Sequence, residues 1–184
     1  MKAILLSFLT ASSLMAGTFT LESRDLEGQL TKVQEFNGFG CSGENKSPEL
    51  HWSNAPKGTK SFAITVYDPD APTGSGWWHW LLVNIPSKTT AIATDSSAKK
   101  TLPKGSVETL SDYGSSSFGG ACPPKGDKAH MYIFTVYALD TDKLDVNSKS
   151  DSAFVGYNIN AHSIEKATIV AYYGRAKKSG FFGN

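Results

Sequence analysis

D-P-D-A-P-T-G-S-G-W-W-H-W-L-L-V-N, residues 68–84, divides into a stiff half and an apolar half. Proline fixes φ and removes a backbone donor, so Asp68–Pro72 is neither regular helix nor mid-sheet strand. It reads as a rigid loop that holds two carboxyl groups in fixed directions. Thr73-Gly74-Ser75-Gly76 then turns the chain back. Trp77–Ile85 is too apolar to face water on either side, which predicts a strand buried on both faces. His79 stands near the mouth of that strand.

The flanking segments extend a β pattern. Ser61–Tyr67 alternates, with Phe62, Ile64 and Val66 on one face and Ala63, Thr65 and Tyr67 on the other. Thr18–Leu21 and Gln29–Val33 predict short strands, and Phe36–Gly43 is a glycine-rich loop. Pro86–Ser117 is polar, with Ile92, Leu102, Val107 and Leu110 as its few core candidates, and reads as a long excursion over the surface. Phe118–Lys128 is a second stiff loop. It leads into a strand at His130–Leu139, where His130, Tyr132 and Phe134 share one face and Met131, Ile133 and Thr135 the other. Near the end, Ser150–Asn158 and His162–Gly174 predict two helices. The second is suggested by Ile164, Ala167, Thr168 and Ala171 at helical spacing, with Ser163 as N-cap and Gly174 as stop. Strands first and helices last predict a mainly β protein, an antiparallel β-sandwich with two short C-terminal helices packed at one end.

The 184 residues fit one domain, and the formal charge is +1. Without residues 1–16, whose one charged side chain is Lys2, the charge would be zero, and a neutral chain has no general pull toward nucleic acid or an anionic membrane, so any anion recognition comes from a local site. Met1-Lys2 precedes an uncharged run, Ala3–Ala16, that ends in small residues. This pattern predicts a secretory signal over residues 1–16, and hence a periplasmic or secreted domain over 17–184. The run is too short for a comfortable membrane span, so stable insertion is not expected. In an oxidising compartment Cys41 and Cys122 read as one disulfide, worth about 4–5 kcal/mol in the chain-entropy view. Two unpaired buried thiols are the alternative, and the Cα separation decides between them.

Asp68, Asp70, His79, His130 and Tyr132 are the polar residues beside the stiff loops. Two imidazoles and a phenol suit an oxyanion, as do the N–H groups around Gly119-Gly120. Asp68 is placed to orient an imidazole and keep it cationic, and Asp70 to receive an ammonium group. The competing reading makes the aspartates caps of their own loop and the histidines packed core residues. The four histidines show no metal-ligand spacing, and no G-x-S-x-G elbow marks a serine hydrolase. Neither a cofactor nor a metal is implied.

Three separated motifs carry a resemblance. D-P-D-A-P from Asp68, W-W-H-W-L-L-V-N-I-P ending at Pro86, and P-P-K-G-D-K-A-H-M-Y from Pro123 resemble the phosphatidylethanolamine-binding protein family, also called Raf kinase inhibitor-like proteins, and its bacterial members above all. The resemblance implies a β-sandwich with a small anion pocket lined by Asp68, Asp70, Trp77, His79, Gly120, His130 and Tyr132. Such a pocket takes phosphate-like groups or phospholipid headgroups. It also allows a homodimer, and a protein partner inhibited through surface loops such as Pro86–Ser117. A hydrolase using His79 as base lacks an evident nucleophile, so a binding protein rather than an enzyme is expected. Two positions depart from the family. Met131 stands where arginine is usual, on the face away from His130 and Tyr132. Cys122 replaces a glycine of many eukaryotic relatives, which puts backbone access to an anion there in question.

Overall fold

The computed structural model describes residues 17–177, so residues 1–16, where the sequence predicts a secretory signal, lie outside the described residues. Two antiparallel sheets form the sandwich. The smaller contains β1 (Thr20–Glu22), β2 (Leu50–Ser53) and β5 (Ala91–Ile92), in the order β1-β2-β5. The larger contains β3 (Ser61–Asp68), β4 (Trp77–Pro86), β6 (Val107–Glu108), β7 (His130–Leu139) and β8 (Ser163–Tyr173), in the order β6-β4-β3-β7-β8. Two short helices complete it, α1 (Ser96–Lys99) and α2 (Ser152–His162).

The central strands β3 and β4 are buried on both faces, as the unbroken apolar run of β4 requires, while the edge strand β8 exposes its outer face. Phe62, Ile64, Val66, Trp80, Leu82, Phe134 and Val136 pack against Phe19, Leu21, Leu50, Trp52 and Ile92 of the smaller sheet and its approach. Ala63, Leu81, Val83 and Leu139 face the other way, under Leu144, Val146 and the α2 residues Val155 and Ile159. A fully buried Leu or Phe contributes about 1.5–3 kcal/mol by leaving water, so these layers dominate the fold.

The pairing of β3 with β4 is interrupted where the site forms. Val66 stands opposite Trp80 and Tyr67 opposite Trp78, which leaves His79 without a partner in β3. His79 is therefore the extra residue of a β-bulge. A bulge turns two neighbouring side chains to one side of the sheet. Trp80 enters the sandwich core, and His79 packs beside Tyr132 at the end of that core, with ring centroids 5.1 Å apart.

Three sequence expectations are corrected. First, His162–Gly174 is not a helix. The chain leaves α2 at Ser163, whose backbone is extended, and runs on as β8 against the whole of β7. The residues at helical spacing share the segment with a period-two pattern, in which Ala167, Ile169, Ala171 and Tyr173 face inward. The β-branched and aromatic run Thr168–Val170 and Tyr172-Tyr173 suits a strand, and β7 would otherwise lack a partner along one edge. The C-terminal part thus has one helix, capped by the Asp151 side chain accepting from Phe154 N–H at 2.9 Å, and the other short helix is α1. Second, Gln29–Val33 contributes only an isolated bridge from Gln29 to Tyr172 before turning at Thr31. Third, residues 86–117 are not a free excursion. They supply β5 to one sheet and β6 to the other, and they bury Ser96, Ser97, Thr109 and Ser111.

The outer edge of β8 makes its alternation measurable. Tyr172 N–H points outward to Gly28 O, so alternation directs Ala167, Ile169 and Ala171 N–H inward to β7 and Lys166, Thr168 and Val170 N–H outward. Amide hydrogen exchange is expected to alternate slow and fast along 166–171. Uniform protection across these amides would mean a helix.

Candidate functional site

Antiparallel order brings the end of β3 and the starts of β4 and β7 to one edge of the larger sheet. Asp68, Trp77, His79, His130 and Tyr132 meet there around a cavity of about 170 Å³. The rim is apolar, with Phe39, Pro72, Pro123 and Pro124. A water molecule occupies about 30 Å³ of liquid, so the space suits a group of a few heavy atoms.

Asp68 is buried and fully engaged. One carboxylate oxygen accepts from Asp70 N–H at 2.8 Å, and the other lies 2.8 Å from His130 Nδ1. Both sequence readings of Asp68 hold together: it caps its own loop and it orients an imidazole. The far nitrogen of His130, Nε2, stands 3.7 Å from Asp127.

His79 is held differently. Its Nδ1 lies 2.8 Å from Gly119 O and 3.2 Å from Gly120 O, so Nδ1 carries the proton and donates to these carbonyls. Burial pulls its pKa below the ordinary histidine value, outweighing the Gly119 carbonyl, the Asp68 charge, the Gly120 carbonyl and the Asp112 charge, which favour the cation. The ring is thus neutral near pH 7, and Nε2 is a buried acceptor without a partner among the described residues. His79 is one of the residues that line the cavity, with its Nδ1 edge against the carbonyls of the loop behind it.

Two further buried polar groups beside the cavity have no partner among the described residues, Trp77 Nε1–H and the Tyr132 hydroxyl. Burial first, then the nearby Asp68 charge, pushes the Tyr132 hydroxyl pKa far up, so it stays protonated. Three unsatisfied polar atoms around one small cavity stand out against the rule that buried polar groups are paired.

Asp70 and Gly120 are placed elsewhere than the sequence suggests. Asp70 does not line the cavity. Its carboxylate accepts from Met131 N–H at 2.9 Å and from Lys128 Nζ at 3.0 Å, and these contacts, the Met131 bond first, hold its pKa below the usual range. It does receive an ammonium, but from the chain itself. Gly120 lies behind His79. Its N–H donates to Asn45 Oδ1 at 2.7 Å, while Gly119 N–H donates to His79 O at 3.0 Å. Neither N–H is left for an anion. A side chain at 120 would sit 2.0 Å from Gln34 O, so close backbone packing demands glycine there. Met131 is half-buried away from the cavity, its sulfur 4.0 Å from the Tyr172 hydroxyl.

Tyr113 and Phe39 line the cavity and were hidden in the sequence. Tyr113 stacks on Phe36 with centroids 4.2 Å apart and donates its hydroxyl to Gly120 O at 2.8 Å. Asp112 anchors it by accepting from Trp78 N–H at 2.8 Å. Phe39 is 74% exposed at the mouth, in a left-handed backbone conformation. Cys41 and Cys122 are bridged, with Cα atoms 5.9 Å apart at a sequence separation of 81, so the two loops beside the cavity are tied together. Arg175 reinforces that tie by donating to Pro123 O at 3.1 Å and to Gly40 O. No group of three or more His, Cys, Asp or Glu among the described residues is arranged to hold a metal. No helix among them is long and apolar enough to cross a membrane.

The profile of the phosphatidylethanolamine-binding protein family matches residues 25–174. The chain belongs to the phosphatidylethanolamine-binding protein family. It is 52% identical to the UPF0098 protein YbcL of Escherichia coli K12 over 172 residues, covering 91% of this chain and 93% of that protein. The crystal structure of E. coli YbcL, described as a new member of the mammalian PEBP family, superposes with a TM-score of 0.83 over 85% of this chain and 98% of that one. The UPF0098 protein YbhB of E. coli K12 is 48% identical over 139 residues, 75% of this chain and 87% of YbhB. A homologue from Chlamydia trachomatis, at 25% identity and a TM-score of 0.71, extends the fold likeness over 85% of this chain and 97% of its own.

The neutral His79 has a consequence for stability. Its folded pKa lies below the unfolded value of about 6.5, so the unfolded chain holds more protons between the two. Stability from this group is therefore present above about pH 6.5 and lost as pH falls toward the folded pKa, with a slope of up to about 1.4 kcal/mol per pH unit. Urea unfolding of wild type and His79→Gln between about pH 7.5 and 5 is expected to show a steeper loss in wild type. Parallel curves would contradict the assignment.

Proposed function

We propose that this protein is an exported binding protein whose cavity takes a small anion, such as phosphate or the headgroup of a phospholipid. The observation that carries this reading is the trio of unpartnered buried atoms, Trp77 Nε1, His79 Nε2 and Tyr132 Oη, around a cavity large enough for one tetrahedral oxyanion. Family membership supports the same class of ligand. The apolar rim suits the glycerol or acyl part of an amphiphile above a polar floor. Binding is favoured over turnover because the cysteine and the threonine that line the cavity are both engaged: Cys122 is bridged and the Thr73 hydroxyl donates to Gly76 O. A protein-directed inhibitor acting through residues 86–117 has less support, since that segment is woven into both sheets. Export is supported by the N-terminal signal pattern and by a disulfide that suits an oxidising compartment.

Calorimetric titration with inorganic phosphate and with phosphoethanolamine tests the site. Wild type is expected to saturate. Trp77→Phe, which deletes one N–H donor and keeps an aromatic ring, is expected to weaken binding about tenfold. Unchanged affinity in both Trp77→Phe and Tyr132→Phe would remove the cavity from consideration. Separately, protein released by osmotic shock is expected to begin near Gly17, and an intact Met1 in the cytosolic fraction would refute export.

A further inference from the structure

The unpartnered trio differs in hydrogen-bonding sense. Trp77 Nε1 is a donor, and the Tyr132 hydroxyl can donate. His79 Nε2 is an acceptor, because the ring's one proton is fixed on Nδ1 by the Gly119 and Gly120 carbonyls. A ligand made only of acceptors leaves that lone pair facing an oxygen lone pair. A ligand that also carries an O–H satisfies it.

Charge around the cavity points the same way. Among the described residues no Lys or Arg lines it, whereas Asp68 does. The titratable groups facing His79 are Asp68 and Asp112 as carboxylates, Tyr113 and Tyr132 as phenols, and His130 across the cavity between Asp68 and Asp127. A dianion would meet the Asp68 charge with no lysine or arginine among the described lining residues to offset it; the nearest arginine, Arg175, is engaged behind the lining by Pro123 O and Gly40 O. A monoanion that keeps one proton carries less charge and offers the donor that the imidazole lacks.

The geometry points to a cavity that selects the proton-bearing form of an oxyanion, a phosphate or phosphonate with one P–O–H directed at His79 Nε2, and rejects tetrahedral dianions without a proton. This rests on the anion-binding reading above and makes His79 its specificity-determining residue. A buried site built to pair a ligand hydroxyl discriminates strongly against an analogue that lacks it, because its own polar atom is then left unpaired.

Inorganic phosphate and sulfate have nearly the same size and shape, and only phosphate keeps protons near neutral pH. Titration of the purified protein with each anion at about pH 6 and constant ionic strength is expected to give phosphate an advantage of at least tenfold. The phosphate affinity is expected to fall as pH is raised through its second ionisation. Equal affinity for the two anions overturns the inference while leaving the anion-binding reading intact. Binding of neither overturns both. His79→Gln can present an amide N–H where Nε2 stood, and it is expected to narrow the phosphate-to-sulfate ratio. A ratio unchanged from wild type in that variant would take the selection away from His79.

Discussion

Asp68 accepts from the Asp70 N–H with one oxygen and from the His130 imidazole with the other, in a place almost sealed from water. A buried carboxylate costs several kcal/mol unless its oxygens are met, so this residue constrains everything around it. The first contact sets the direction in which the proline loop leaves β3. The second locks the His130 ring at the start of β7, the strand that pairs with β3 along its length. The same charge adds to burial in raising the pKa of the Tyr113 and Tyr132 hydroxyls. One carboxylate therefore fixes a loop and a ring.

The opposite wall depends on backbone. The bulge in β4 adds His79 to the core-facing side without displacing Trp80. The Phe118–Lys128 loop then presents its carbonyls to the imidazole, and it can come that close because Gly120 lies against Gln34 O with no room for a side chain. Phe36 N–H to Ala121 O, Ala121 N–H to Gln34 O and the Cys41–Cys122 bridge hold this loop to the earlier glycine-rich loop. The rigidity of the two loops, legible as proline and glycine in the sequence, serves to fix a histidine tautomer.

Much of this was legible because local rules and tertiary structure agree there. The β3 alternation, the doubly buried β4 run and the two faces of β7 follow from period-two spacing, and Asp68, Trp77, His79, His130 and Tyr132 converge because three strand ends share one sheet edge. The misses arise where tertiary pairing overrides a local pattern. Ala167 and Ala171 satisfy a helical stripe and a strand alternation at once, and only the long free edge of β7 decides between them. Tyr113 carries no signal within a Ser- and Gly-rich turn, since its place depends on Asp112 bonding to Trp78 from a distant part of the chain. Asp70 and Gly120 were assigned from motif position, and their outward-facing or occupied groups depend on partners, Lys128 and Asn45, that no local spacing reveals.

The occupied N–H groups of Gly119 and Gly120 limit what the cavity can present to an occupant. A glycine loop that offered free N–H donors would favour any acceptor and would prefer the more highly charged anion. Here the loop's donors are satisfied internally, by His79 O and Asn45, and its carbonyls act on the ligand only through the imidazole they orient. What remains for the ligand is a mixed set of donors and one acceptor within apolar walls. In such surroundings each hydrogen bond is stronger and each unmet group costs about 1–3 kcal/mol. The protein tolerates three such groups because the sandwich core, the disulfide and the Arg175 contacts hold the cavity's shape independently of any occupant. Departure from the family's usual arginine at Met131 leaves this arrangement intact, since Met131 gives only its backbone N–H to Asp70 and turns its side chain to the opposite face.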